Sequence, residues 1–268
     1  MPAAKLTYSD PNDPRLKQLL IKSIELATGR MTLEKRYNEI LDADPAPEDI
    51  WGIALNKLAL RLDFDDNQLN KIPKSGPIIF IANHLFGVVD GLAMGYLVSL
   101  LHKRFKFLVN AVLCRDEKLN QFLLPVDFAP SKAAQKTNIE TRAKAMDCLA
   151  KDIPIVIFPS GGVATAPKFW KKAEDLEWKL FVIKLIRKSK ATVIPIYFHG
   201  QNSRLFQVVS QFSLDLRLAL LLNEVRNKMG KSITVNIGDP ITYEDMELYQ
   251  DKSALLRFLR SRVFSLKR

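Results

Sequence analysis

The chain has 268 residues, 47% hydrophobic and 26% charged, which is the profile of a folded globular protein with one large domain or a domain plus a small appendage. Its 40 basic and 29 acidic residues leave a net charge of +11; an excess of that size favours an anionic partner (nucleic acid, an anionic membrane surface or an acidic carrier) unless it is simply a solvated basic surface. The two cysteines, Cys114 and Cys148, show no metal-ligand spacing and read as free thiols in a reducing compartment.

Residues 1–14 contain Pro2, Pro11 and Pro14 and lack the apolar core of a signal peptide. From Arg15 the periodicity becomes helical. Leu16, Leu19, Leu20, Ile24 and Ala27 share one face, and Gly29 is a stop signal. A second helix is predicted over Thr32–Leu41. After Asp44-Pro45-Ala46-Pro47 a third is predicted from about Glu48 to Leu62, with Trp51, Leu55, Leu58 and Leu62 on its stripe. Residues 1–63 therefore read as an N-terminal helical segment and 64–268 as the main domain.

Short apolar, β-branched runs follow at Ile78–Ala82, Phe105–Val109, Ile153–Phe158, Thr192–Phe198 and Ile233–Ile237. They alternate with helical patterns at about 90–102, 136–151, 174–189, 203–227 and 251–264. The alternation predicts an α/β fold, a mostly parallel central sheet flanked by helices on both faces. Sites in such sheets collect at the carboxyl ends of strands. The longest apolar stretch, near Leu92–Leu101, is roughly half of the ~20 residues needed to span a bilayer. Membrane contact is therefore expected to be peripheral.

Three predicted strand ends carry polar residues. Behind the first lies Asn83-His84-Leu85-Phe86-Gly87-Val88-Val89-Asp90. Asp90 opens a predicted helix and can reach one ring nitrogen of His84, which fixes the tautomer and leaves the other nitrogen to accept a proton. The spacing also fits a helix cap beside a plain loop histidine. Behind the second lies Pro159-Ser160-Gly161-Gly162-Val163, where Gly161 and Gly162 permit positive φ and backbone N–H groups can face an anion or oxyanion. Ser160 also fits a nucleophile, although the segment is not a Gly-x-Ser-x-Gly elbow, and a simple turn fits equally. Behind the third lies His199-Gly200-Gln201-Asn202-Ser203-Arg204. Here Arg204 suits a carboxylate or phosphate, while Asn202 or Ser203 suits a helix cap and His199 a structural role. His102, next to Lys103 and Arg104, reads as a helix-end charge.

With these residues in view, the chain resembles the glycerolipid acyltransferase family. That pattern has a His and an Asp after a strand, a Phe-Pro-Glu-Gly-Thr-Arg type loop, and a proline on a later strand. Here His84 with Asp90, Phe158-Pro159-Ser160-Gly161-Gly162 and Pro195 stand in those places, with Leu124-Pro125-Val126-Asp127-Phe128 between the first two. The resemblance spans roughly residues 64–240. Five residues separate His84 from Asp90 where the commoner pattern has four; Ser160 replaces the acidic residue of the loop, and Val163 or Ala164 its arginine. Both departures, and Phe198-His199-Gly200-Gln201-Asn202-Ser203-Arg204-Leu205-Phe206, look like the hemolysin-related branch that includes lyso-ornithine lipid acyltransferases.

The resemblance implies acyl transfer from a thioester, carried by CoA or by an acyl carrier protein, to the hydroxyl of a lysolipid such as lyso-ornithine lipid or lysophosphatidate. His84 is then the general base, oriented by Asp90, with no acyl-enzyme, no metal and no cofactor beyond the donor. Ser160, Gly161 and Gly162 would line the substrate, with the two glycines facing the oxyanion, and Lys168, Arg204 and Arg115 would meet anionic parts of donor or acceptor. The expected location is cytoplasmic, peripheral to the inner face of the membrane, with the N-terminal helices docking there or packing on the core. No aromatic-interleaved basic stripe points to nucleic acid. The rivals are a thioesterase- or lipase-type hydrolase using Ser160 and a non-catalytic basic lipid-binding protein.

Overall fold

Ile78–Ala82 is buried at every position because helices cover both faces of the strand, and this also explains why the run is continuously apolar rather than alternating. It is the middle strand of a seven-stranded sheet. The computed structural model describes Thr7 and residues 14–111, 117–127, 129–168 and 170–267.

In chain order the helices α1 (Arg15–Ala27), α2 (Arg30–Asp42) and α3 (Ile50–Lys57) precede β1 (Arg61–Asp63) and α4 (Asp66–Asn70). Then come β2 (Ile78–Ala82), α5 (Val88–Ser99), β3 (Lys106–Asn110), α6 (Glu117–Asn120), β4 (Leu123–Val126), α7 (Lys132–Ala150) and β5 (Ile155–Ile157). The chain ends with α8 (Phe181–Ser189), β6 (Thr192–Phe198), α9 (Arg204–Val209), α10 (Leu214–Lys228), β7 (Ser232–Ile237), α11 (Tyr243–Glu247) and α12 (Lys252–Phe264). The sheet order is β1-β7-β6-β2-β5-β3-β4. All neighbours are parallel except β6 and β7, so the expected mostly parallel α/β sheet is present.

Successive residues of β2 feed two different cores. Ile78, Phe80 and Ala82 join the layer formed with α3, α5 and part of α10. Ile79 and Ile81 join the layer formed with α7, α8 and α12. In the first layer Trp51 lies 5.4–5.6 Å from Phe105 and Phe107 and 5.1 Å from Phe122, centroid to centroid. Residues of α3, and β1 through its pairing with β7, thus contribute to the same sheet and core as the rest.

Several boundaries differ from expectation. The third helix stops at Lys57, and Ala59 turns the chain with φ 50° into an edge strand. The predicted helix at 174–189 starts only at Phe181. The one at 203–227 is broken in two, because the Ser213 hydroxyl caps α10 by accepting from the Leu216 N–H at 3.3 Å. Pro195 sits inside β6 yet leaves no donor missing from a ladder, since β7 pairs with β6 only over Ile196–Phe198 and Gly238 N–H then donates to the Pro195 carbonyl at 2.9 Å. His102 is not an exposed helix-end cation. It is buried with its ring edge-on to Phe80, and burial holds its pKa below the usual imidazole value.

The N-terminal helices pack on one another and on α10. The inward residues of α1 are Ile21 and Glu25; Glu25 accepts a hydrogen bond from Thr7 Oγ1 at 2.8 Å and pairs with Arg30 at 3.4 Å. Of the apolar stripe of α1, Leu16, Leu19 and Leu20 point outward, with Leu16 82% and Leu19 65% exposed, while Ile24 packs against the Phe206, Leu220 and Leu221 cluster. Among the described residues no helix is long and apolar enough to cross a membrane.

A prediction follows from Gly95 of α5. A Cβ there would overlap the Trp51 ring, and Trp51 is wedged among three phenylalanines. Gly95→Ala is therefore expected to destabilise by about 1–3 kcal/mol, read as a lower urea midpoint at unchanged m value.

Candidate active site

The three polar strand ends belong to adjacent strands. β2 lies between β6 and β5, so His84, the Phe158–Gly162 loop and the His199–Arg204 loop open on the same mouth of the sheet. Asn83 ties two of them together. Its amide Nδ2 donates to the Phe198 carbonyl at 3.0 Å and its Oδ1 accepts from the Phe198 N–H at 2.8 Å, fully buried. A side chain thereby extends the β2–β6 ladder by one step beyond the last paired residue.

His84 Nδ1 lies 2.9 Å from Asp90 Oδ2. The same oxygen accepts from the N–H groups of Phe86 at 2.7 Å and Gly87 at 3.1 Å. Asp90 is the third residue of α5, where the helix N-terminus favours negative charge. Gly87 turns the connection with φ 83°, a conformation that suits glycine; a Cβ there would also press on Leu221 and Val163 at 3.0 and 3.2 Å. Because the ionised carboxylate can only accept, Nδ1 carries the proton and Nε2 is left as the basic nitrogen. No hydrogen bond among the described residues engages Nε2. The imidazole is 17% exposed and stacks on Phe158 at 4.3 Å.

The second loop is fastened to the first. Ala164 N–H donates to the His84 carbonyl at 2.6 Å. Gly161 has φ 66°, as glycine at this turn permits, but its N–H is taken by the Phe158 carbonyl at 2.9 Å. The Gly162 N–H has no acceptor among the described residues, so of the two it is the one open to a developing oxyanion. The Ser160 hydroxyl donates to the Gly162 carbonyl at 3.1 Å and is buried beside Asp175. No imidazole bonds it, and a serine nucleophile needs such a base.

Asp175 is a site residue that spacing did not point to. Thr165 and Glu174 exchange backbone hydrogen bonds at 3.1 Å, folding the chain back on itself. This return puts Asp175 Oδ1 3.3 Å from the His84 N–H and Oδ2 2.8 Å from Trp178 Nε1. Burial raises the Asp175 pKa, opposed by the hydrogen bond from Trp178 and by the electrostatic influence of the adjacent His84. The α10 helix was missed as a site element as well. Arg217, Leu221, Glu224 and Lys228 recur at helical spacing and form one stripe. Arg217 donates to the Val163 carbonyl, Leu221 meets Gly87, and Lys228 lies 4.3 Å from the Phe86 ring. Glu224 is buried and accepts from Ser203 N–H at 2.8 Å and Ser203 Oγ at 2.6 Å.

The remaining predicted residues lie at the rim or beyond. Arg204 is exposed at the start of α9, which Ser203 caps. Lys168 is exposed, 5.3 Å from the Trp170 ring. Ala166 N–H donates to Gln207 Oε1 at 2.8 Å and holds the segment before Lys168 against α9. Arg115 lies outside the described residues. No group of three His, Cys, Asp or Glu among the described residues is placed to hold a metal ion.

A family model described as Acyltransferase matches residues 51–268. The chain belongs to the acyltransferase family. It is 26% identical over 209 residues to a protein of Phocaeicola vulgatus named lyso-glycine lipid O-acyltransferase, covering 74% of this chain and 71% of that protein. A protein of the same name from Bacteroides thetaiotaomicron is 26% identical over 206 residues, covering 74% and 73%. The fold is similar to the crystal structure of PlsC, the 1-acyl-sn-glycerophosphate acyltransferase of Thermotoga maritima, with a TM-score of 0.52 at 11% identity over 94% of this chain and 96% of that one. The glycerolipid acyltransferase resemblance carried by the His84, Phe158–Gly162 and Pro195 motifs agrees with the family of this acyltransferase and with its fold.

The Asp175 environment sets a pH signature. Its folded pKa is raised above the usual carboxylate value, so just above that value the folded chain holds a proton that the unfolded chain has lost. Wild-type stability then falls as pH rises through this window. Asp175→Asn removes the titration. Its unfolding free energy, relative to wild type, is expected to rise between about pH 4, near the unfolded carboxylate value, and neutrality. Urea midpoints across that range test it, and a constant difference would count against it.

Proposed function

We propose that the chain is a lysolipid O-acyltransferase in which His84 is the general base and Asp90 its orienting partner. The observation that carries this reading is the 2.9 Å contact between His84 Nδ1 and Asp90 Oδ2 at the carboxyl end of the central strand, which leaves Nε2 as the nitrogen able to accept a proton. Nε2 takes the proton of the acceptor hydroxyl as its oxygen bonds to the thioester carbon. The tetrahedral oxyanion collapses, the C–S bond breaks, and the thiolate recovers the proton from the imidazolium. Asp90 stabilises that imidazolium, and Asp175, within Coulombic reach of His84, adds to it. The free Gly162 N–H suits the oxyanion. Thiols leave readily as thiolates, so the donor needs no separate acid.

The donor is acyl-CoA or an acyl carrier protein; both are acidic and suit a chain of charge +11. The acceptor is a lysolipid of lyso-ornithine, lyso-glycine or lysophosphatidate type. The names of the two bacterial relatives and the Ser160 and Val163 replacements favour an amino-acid head group. The outward stripe Leu16, Leu19 and Leu20, on a strongly basic chain, suits docking on an anionic bilayer surface as a peripheral helix.

Purified protein with labelled acyl-CoA or acyl carrier protein, tested against a panel of lysolipids, checks the activity. His84→Ala is expected to lower kcat/KM by roughly 10²–10⁴-fold, while Ser160→Ala retains transfer. Absence of transfer to every lysolipid would sink the assignment. For docking, replacing Leu16, Leu19 and Leu20 together with glutamine is expected to abolish co-flotation with anionic vesicles while leaving turnover of a water-soluble short-chain acceptor intact.

A further inference from the structure

Arg217 is a half-buried cation with an unusual setting. It projects from α10 toward the Gly161–Gly162 turn: one guanidinium nitrogen donates to the Val163 carbonyl, and Nη2 lies 3.9 Å from where a Gly162 Cβ would stand. The Phe206 ring lies 6.0 Å from its guanidinium carbon. Its other near neighbours in this corner, Leu221, Val163 and Leu176, are apolar. Among the described residues no carboxylate pairs with it, and burial alone depresses its pKa. A cation held in apolar surroundings without a counter-ion is unfavourable, and of the five donors of a guanidinium one is engaged among the described residues. The turn it touches is bonded through Ala164 to the His84 carbonyl. Arg217 therefore stands one loop away from the imidazole, at a fixed height set by its bond to Val163.

We infer that Arg217 is the anchor for an anionic head group, carboxylate or phosphate, of the acyl acceptor. The inference rests on the lysolipid reading above and adds to it the residue that selects acceptors by charge. Bidentate pairing of the free guanidinium donors with a planar carboxylate or a phosphate fixes the head group in orientation as well as position. With the head held beside Gly162, the acceptor hydroxyl a few bonds away is presented toward Nε2 of His84, and the acyl chain extends away from the cation. The Val163 tie serves this role by preventing the long side chain from sampling other rotamers, so that little freedom remains to be lost on binding.

The test is equilibrium binding, which does not depend on turnover. Three single-chain amphiphiles of equal acyl length are titrated below their micellar concentrations into wild type, Arg217→Lys and Arg217→Gln. They are an N-acylglycine, its neutral glycinamide and a lysophosphatidate. Wild type is expected to prefer the N-acylglycine over the glycinamide by roughly 10- to 100-fold, the span of a charged hydrogen bond. Arg217→Gln should erase the preference while leaving glycinamide affinity unchanged, and Arg217→Lys should keep part of it. An equal Arg217-dependent gain for lysophosphatidate assigns phosphate as well as carboxylate to the site. If Arg217→Gln keeps the preference, or weakens all three amphiphiles alike, Arg217 is only a loop tie and the inference is wrong. Thermal melts establish that the variants are folded, and Arg217→Lys decides the matter should Arg217→Gln not be. His84→Ala is carried as a binding-competent control. Loss of acyl transfer to all lysolipids would remove the activity assignment but leave the charge comparison able to decide the role of Arg217.

Discussion

Asp90 is fully buried, a costly place for a carboxylate unless donors reach it, and they reach one oxygen only, Oδ1 having no hydrogen-bond partner among the described residues. Three donors converge on its Oδ2: the His84 ring and the N–H groups of Phe86 and Gly87. This one oxygen closes the turn after the central strand, caps the first turn of α5 and sets the tautomer of the imidazole. Remove any of the three functions and the others lose their geometry. The glycine at 87 is required by the same closure, because the backbone must reverse with positive φ to deliver its N–H and has Leu221 and Val163 close behind it.

A second buried carboxylate does comparable work on the far wall. Glu224 of α10 receives both the N–H and the hydroxyl of Ser203 and the amide of Asn227 at 3.2 Å. The loop after β6 is thereby clamped to α10, and Gly200 fits beneath because Phe86 would collide with any larger residue there, at 2.7 Å. Of the roles read for that loop, the helix cap falls to Ser203. Ser203 caps and clamps, and Gln201 receives Lys228 at its carbonyl at 3.0 Å; the Asn202 amide and His199 Nε2 are buried without a hydrogen-bond partner among the described residues, and Arg204 is exposed.

What was legible in the sequence follows from burial on two sides. β2, β5 and β6 announce themselves as unbroken apolar runs because helices cover both faces, and their polar ends stand out against that background. β1 and β4 do not, since edge strands of three or four residues such as Arg61–Asp63 carry too little pattern to register. The pairing of His84 with Asp90 was readable because both lie within one turn of the chain. Asp175 and Arg217 were not, because they reach the same spot from 91 residues away in the case of Asp175 and 54 residues from Val163 in the case of Arg217. Only the sheet order and the Thr165–Glu174 return bring them there. The apolar stripe of α1 was legible as a stripe, but periodicity cannot say which side of a helix the core lies on. Here the inward side is the one with Ile21 and Glu25.

The position of β2 has a bearing on how the molecule opens. This strand is paired along its length with β6 on one side and with β5 on the other, so its amides exchange with solvent only when the sheet itself comes apart. The wall carried by α9 and α10 is joined to it through side chains and loop carbonyls instead, so the two sides of the site are held by different kinds of bond. The imidazole is thus mounted at the end of the doubly paired strand and faced by a helical wall. The helical wall can therefore be reshaped by substitution without touching the ladder that fixes the base, its tautomer and its partner carboxylate.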